Sequence, residues 1–312
     1  MALAARARGT TSQLLGKAET TIGTAPSGNW ARLPIYEYSL GRSRPLVADP
    51  IVSQGLGRAP AAPFYDESTF EGAVTFPLDT GNIDFWATLL FGAVVTTGTT
   101  LDTYTAGGTP TAASFEDGET SLADYWSHSG VHAKGFQLDF SPAGRAKMTV
   151  QLTALSAAAK SGSSIGGTPT TATFAPILNN AAVFKINGTE VGNALSGSLK
   201  LDLGLELIRT VRSSGTGGEP IAVDGGLMSG GFDLTLRNDD STFDDYAIAG
   251  TAKSIDLAFA LTGGFALTFT FPTVLIERPT KPIAGPGGIE SRVTGQAYGA
   301  SSTTMFKLTR TR

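Results

Sequence analysis

The stretch GGFDLTLRNDDSTFDDYAIAG, Gly230 to Gly250, has a counterpart in the first half of the chain, EGAVTFPLDTGNIDFWATLLFG, Glu71 to Gly92. Sliding one onto the other without a gap, by 158 residues, places Gly72 on Gly230. The other anchors then coincide: Val74 with Phe232, Phe76 with Leu234, Leu78 with Leu236, Phe85 with Phe243 and Gly92 with Gly250. Four of these pairs are identical and the rest keep apolar on apolar. Each copy reads as a glycine, a strand of period two, a polar turn, and a short helix closed by glycine. The offset is close to half of the 312 residues, so the chain reads as two tandem copies of one module.

The chain is long enough for two domains of about 150 residues each. It is 41% hydrophobic and only 16% charged, with 39 glycines, a composition suited to many short strands joined by Gly and Pro turns. The net charge of −4 implies no basic surface for tight nucleic-acid binding. The absence of cysteine excludes disulfides, thiolate catalysis and Cys-ligated zinc. No apolar core follows Arg6 and Arg8, so no secretory signal is expected, and no apolar run reaches the length of a spanning helix.

In chain order, residues 1–30 read as a polar N-terminal arm, 31–153 as the first module, 154–172 (small and polar) as a linker, and 173–312 as the second module. Strands are expected over 32–40, 73–78, 135–141 and 147–153, with a helix over 83–91 and a second short helix near 121–126. In the second module, Leu199, Leu201, Leu203, Leu205 and Leu207 alternate with polar residues and glycine, predicting one strand over 196–207. Ser241 suits an N-cap, with Asp244 and Asp245 in the first turn. The aperiodic segment 41–68 lies opposite 199–226 in the repeat, so each module carries a projecting arm before its core strand. Phe76, Leu78, Phe85, Leu234, Leu236 and Phe243 are the repeated core anchors.

Residues with catalytic chemistry are scarce. His128 and His132 have helical metal-ligand spacing, but Gly130 lies between them and no carboxylate partner follows, so they read as loop histidines. The acidic pairs Asp239–Asp240 and Asp244–Asp245 fit helix capping better than calcium binding. The glycine clusters lack the lysine of a phosphate loop, and no GxSxG occurs. No catalytic residue, metal ligand or cofactor is therefore assigned. The polar positions Lys200, Asp202, Glu206, Asp233, Arg237 and Asp256 are mixed in sign and fit either a solvated sheet face or the lining of a channel shared between copies.

With the duplicated strand–helix unit and the arms in hand, the sequence resembles the two-module major tail tube proteins of long-tailed, non-contractile (siphovirus-type) phages. The two repeat stretches carry the resemblance, together with GFALTFTFPTVLIERPTKPIAGPGGIESRVTGQAYG, Gly264 to Gly299, which looks like that family's closing strands. The resemblance implies a mainly β fold: two tandem β-sandwich or half-barrel modules, each with a short flanking helix and a projecting loop. It implies trimeric rings of pseudo-sixfold symmetry, stacked into a hollow tube that passes DNA to the host without sequence-specific binding. The six polar positions would face the lumen. Arg42, Arg44, Arg58, Arg209, Arg212, Ser213, Gly215, Gly217 and Glu219 would belong to arms that clamp adjacent rings or subunits. Partners would be further copies of the chain and the tail terminator, distal tail and tape-measure proteins, in a virion tail assembled in the host cytoplasm, with no membrane and no enzymatic activity. An outer-membrane β-barrel, an exported adhesin or carbohydrate-binding sandwich, and another virion part are the competing readings.

Overall fold

The computed structural model describes residues 8–51, 61–210, 219–238, 241–261, 263–283, 288–300 and 303–311. The first half contains β1 (Ser12–Ala18), β2 (Ala31–Leu33), β3 (Glu37–Tyr38), β4 (Gly41–Ser43), β5 (Leu46–Val47), β6 (Phe64–Tyr65), β7 (Thr69–Pro77) and α1 (Ile83–Phe91). It continues with β8 (Val95–Thr97), β9 (Leu101–Thr105), β10 (Ala113–Glu119), β11 (Asp124–Phe140), β12 (Lys147–Thr153), β13 (Ser156–Ala157) and β14 (Thr170–Thr171). The second half contains β15 (Ala182–Ile186), β16 (Thr189–Glu190), β17 (Ala194–Asp202), β18 (Leu205–Ile208), β19 (Ala222–Gly225), β20 (Ser229–Arg237) and α2 (Thr242–Ala249). It closes with β21 (Lys253–Ala260), β22 (Ala266–Ile276), β23 (Glu290–Ala297) and β24 (Lys307–Thr311). The fold is mainly β, as the alternation of the sequence predicts.

The halves repeat one strand order. In the first, β1 pairs β10, β10 pairs β11, β11 pairs β12, β12 pairs β7, and β7 pairs β3 and β4. In the second, β15–β21, β21–β22, β22–β23, β23–β20 and β20–β17 follow the same path. Both helices follow the anchor strand, as the 158-residue slide requires. The slide ends at the helices because the first half inserts the β8–β9 hairpin between Gly92 and Ala113, whereas the second runs from Gly250 almost directly into β21.

The halves are also sewn together. Residues 197–202 of β17 pair residues 135–140 of β11 along the edge that β10 has left, and β9 of the first half pairs the C-terminal β24. Their aromatic cores meet: Phe91 stacks on Phe306 at 5.1 Å, and Phe136 lies 5.4 Å from Phe306. Residues 154–172, read from composition as a linker, lie against the first half. β13 pairs β11, β14 pairs β2, and the Ile165 amide donates to Glu116 Oε2 at 2.6 Å.

Three local readings need correction. The short helix expected at 121–126 is a turn leading into β11, because Tyr125 and Trp126 pair Gly118 and Asp117 across β10, where aromatic residues favour a strand. His128 and His132 therefore lie on a strand, buried, and not in a loop. The single strand expected over 196–207 breaks at Gly204, whose φ of +62 suits glycine; its amide donates to Asp202 Oδ1 at 2.8 Å, and β18 leaves for a separate hairpin.

Candidate functional site: one polar sheet face and two hairpin arms

Six neighbouring strands, β7–β12–β11–β17–β20–β23, form one sheet across both halves. Side chains alternate between its faces. One face buries Val74, Phe76, Val150, Phe136, Leu138, Leu199, Leu201, Phe232, Leu234 and Val293 in the core. The other face is polar, and the strand register lays its residues in rows. One row runs Thr75, Thr149, Gln137, Lys200, Gly231, Gln296; the next runs Asp139, Ser198, Asp233, Thr294.

Several charges on this face are tied to neighbours of opposite sign or to amides. Arg292 Nε lies 3.0 Å from both oxygens of Asp233, and this carboxylate raises the guanidinium above its ordinary range. Glu277 accepts from Thr294 Oγ1 at 2.8 Å and from Gln296 Nε2 at 3.0 Å. Gln137 Nε2 donates to Asp139 at 2.7 Å, Lys134 pairs Glu71 at 3.3 Å, and the Thr75 and Thr149 hydroxyls meet at 3.0 Å.

Of the six polar positions singled out in the sequence, Lys200, Asp202, Asp233 and Arg237 share this face. Glu206 sits instead in the β18–β19 hairpin. Asp256 lies on β21, in the other layer of the second half, where Thr270 Oγ1 donates to it at 2.7 Å. The first-half members of the face, Thr75, Gln137, Asp139, Lys147, Thr149 and Gln151, were visible as the wet side of alternating strands; only the β11–β17 pairing puts them beside the second-half set.

Both arms have hairpin bases. β5 pairs β6 in the first, and β18 pairs β19 in the second. The bases lie side by side: Arg209 Nη1 donates to Glu67 Oε2 at 2.9 Å and to the Ser68 carbonyl at 3.1 Å, and Arg42 lies 3.5 Å from Glu219. Arg44 sits over the Tyr65 ring at 4.9 Å. Arg58, Arg212, Ser213, Gly215 and Gly217 lie outside the described residues, as does the acidic pair Asp239–Asp240.

A partly buried polar cluster was not anticipated. Asp117 Oδ1 on β10 lies 3.7 Å from His128 Nδ1 on β11, and Tyr38 packs nearby. Burial pushes the Asp117 carboxyl up to about 6 and the His128 imidazole down to about 4, so each favours its neutral form. Burial likewise lowers His132, and burial followed by the Asp117 charge raises Tyr38. Sequence spacing suggested helical ligands; on a strand, with a bulge between them, His128 lies beside Asp117 whereas His132 feels Glu19 and the Thr111 backbone. Among the described residues, no group of three or more His, Cys, Asp or Glu could hold a metal, and no helix is long and apolar enough to cross a membrane.

An extended sheet with one dry and one polar face, two short helices and paired arms together define a mainly β protein of the tail-tube type. The chain matches the family model described as phage tail tube protein over residues 9–297, and it belongs to that family. It is thus a structural component of a phage tail. None of the curated proteins matches its sequence.

Proposed function

We propose that the chain forms trimeric rings of pseudo-sixfold symmetry, from six modules, that stack into a tube conducting DNA to the host. The modules would be residues 31–153 and 173–312, preceded by an arm over 1–30. The observation that carries this reading is the polar face running unbroken from β7 to β23 across both halves, opposite one shared core. In a ring this face lines the lumen, through Lys200, Asp202, Asp233 and Arg237 together with Gln137, Thr149 and Thr294. Its cations are interleaved with carboxylates and amides, and DNA is gripped only where cations neutralise phosphates, so the strand would slide. The paired arms would reach the adjacent ring. Further copies of the chain, the tail terminator, distal tail and tape-measure proteins would be its partners, in a tail assembled in the host cytoplasm, with no enzymatic role.

Electron microscopy of the concentrated protein tests the reading. Hollow, cross-striated filaments with threefold or sixfold end views are expected, and filaments without a bore would overturn it. Deleting residues 213–218 should leave the fold intact and shorten the filaments; filaments of normal length and stability would remove the arms from stacking.

A further inference from the structure

Inside the chain, the second copy joins the first by adding a strand to a sheet edge. β10 leaves β11 after Val131, and β17 takes over that edge from Gly135 onward. The joint is antiparallel, with Phe136 opposite Leu201 and Leu138 opposite Leu199. The Leu203 amide donates to the Lys134 carbonyl at 2.7 Å, so 134, 136 and 138 are the positions whose backbone groups face β17. Gly135 permits the approach, since a Cβ there would lie 2.3 Å from the Leu201 carbonyl.

Both halves of this joint recur unpaired. In the second copy, β21 leaves β22 at Val274, and from there to Thr280 the described chain pairs only β23. Following the register through β7–β12 and β20–β23 places Gly135 on Leu275, Phe136 on Ile276 and Gln137 on Glu277. In the first copy, the counterpart of β17 is the segment from β3 to β4. Its register on β7 places Tyr38 on Leu199, Ser39 on Lys200 and Leu40 on Leu201, and its outer edge carries no strand among the described residues.

The hydrogen-bond parity agrees independently. The Glu277 amide is turned inward, to the Thr294 carbonyl at 2.9 Å, and the Ser39 amide inward, to the Ala73 carbonyl at 2.9 Å. Ile276, Arg278, Tyr38 and Leu40 therefore present their backbone groups outward. These are the counterparts of the residues that bond in the internal joint. Pro279, which has no amide to give, stands where the register on β23 slips by one residue and would end the ladder.

We infer that residues 275–278 of one chain pair residues 38–41 of a second copy in antiparallel register, with Ile276 opposite Leu40 and Glu277 opposite Ser39. The contact repeats between chains the joint that fuses the copies within one. It covers two open edges that would otherwise invite unspecific pairing. Because it is head to tail, it makes a ring where the rotation closes. A flanking residue has the exposure expected of such a site. Leu90 lines a small cavity with Leu203 and Leu205, at the base of the arm that follows β17. Its repeat partner Ile248 is 72% exposed, on the side where the arm base of the next chain would arrive.

The inference rests on the proposal that the chain assembles into rings, and cross-linking separates the two. The protein has no cysteine, so an engineered pair reads one register alone. Residues 39 and 277 would form a non-hydrogen-bonded pair with Cα atoms about 4.5 Å apart, within disulfide reach. The variant S39C/E277C, oxidised after assembly, should give interchain disulfides at least about tenfold more efficiently than E37C/E277C, which is two residues out of register. Tubes in which the two pairs cross-link equally, or not at all, overturn this joint and leave the tube reading standing. A protein that neither assembles nor cross-links overturns both. Ile276→Pro gives a second reading. It removes an outward amide that the monomer does not use, so the circular dichroism spectrum should match the wild type while rings are lost. Normal rings from this variant overturn the joint.

Discussion

The two helices follow equivalent strands and end at equivalent glycines, yet they are packed differently. In α1, Ile83, Trp86, Ala87, Leu89, Leu90 and Phe91 are buried; in α2 only Phe243 is. Trp86 is stacked on Phe76 at 4.4 Å and lies 5.8 Å from Phe115, whereas the 158-residue offset places Asp244 and Leu234 at the positions of Trp86 and Phe76. Asp244 turns to Lys281. The β8–β9 hairpin, which has no counterpart after α2, brings Tyr104 to Asp84 at 3.1 Å, and Arg310 on β24 pairs the same carboxylate. A duplicated module has thus become a sealed copy and an open one. The lesson is that the second copy keeps on its surface what the first keeps inside, at the flank where a neighbour is expected.

The sharpest way to break this comparison is to hollow out the sealed helix. Trp86→Ala should cost about 3–5 kcal/mol, since a fully buried ring and its stack are lost. Asp244→Ala in α2 should change stability by less than about 1 kcal/mol, because its ion pair is at the surface. Denaturant unfolding of the two variants checks this, and equal costs would contradict the asymmetry.

A smaller effect concerns the titrating pair in the first copy. The folded Asp117 carboxyl, at about 6, lies above its ordinary 3.8, so its contribution to stability is complete below 3.8 and lost as pH rises through 6. Asp117→Asn removes that loss. The variant should be more stable than the wild type by about 1 kcal/mol at pH 7, a figure discounted for the 37% exposure of the side chain, and no more stable at pH 4. His128, lowered to about 4 from 6.5, contributes fully above 6.5 and loses that contribution as pH falls towards 4. Between these values the two groups oppose one another, so the wild-type pH profile should be flatter there than that of the variant. Thermal melts across this range read both limbs.

The smallest expected change in the monomer is at Ile248. Ile248→Ser should move stability by less than about 0.5 kcal/mol, as an exposed substitution does. Leu90→Ser, at the matching buried position, should cost several times more. If Ile248→Ser also weakens ring formation, the open copy is open because a neighbour covers it.

Much of this was legible in the residues. Alternation in 73–78, 135–141, 147–153 and 229–237 marks strands that are dry on one side, and the repeated Phe76/Leu234 and Phe85/Phe243 anchors locate both strand–helix units. The polar face was partly legible, since Lys200, Asp202, Asp233 and Arg237 fall on it. Glu206 and Asp256 did not join it: alternation alone cannot register that Gly204 turns the chain, or which layer a strand enters. The β11–β17 and β9–β24 pairings link residues far apart in sequence, and no local pattern specifies them. The burial of His128 and His132 was missed for a related reason, because it depends on strands brought from elsewhere in the chain, β10 beside His128 and β12 beside His132.

The claim that the shared polar face looks into the tube is tested most directly by single-cysteine accessibility in assembled filaments. Lys200→Cys on the face should react with a small maleimide and be shielded from one coupled to a polymer wider than the bore. Glu190→Cys, on the β15–β16 hairpin of the other layer, should react with both. If the bulky reagent labels residue 200 as readily as residue 190 in intact tubes, the face points outward and the account is contradicted.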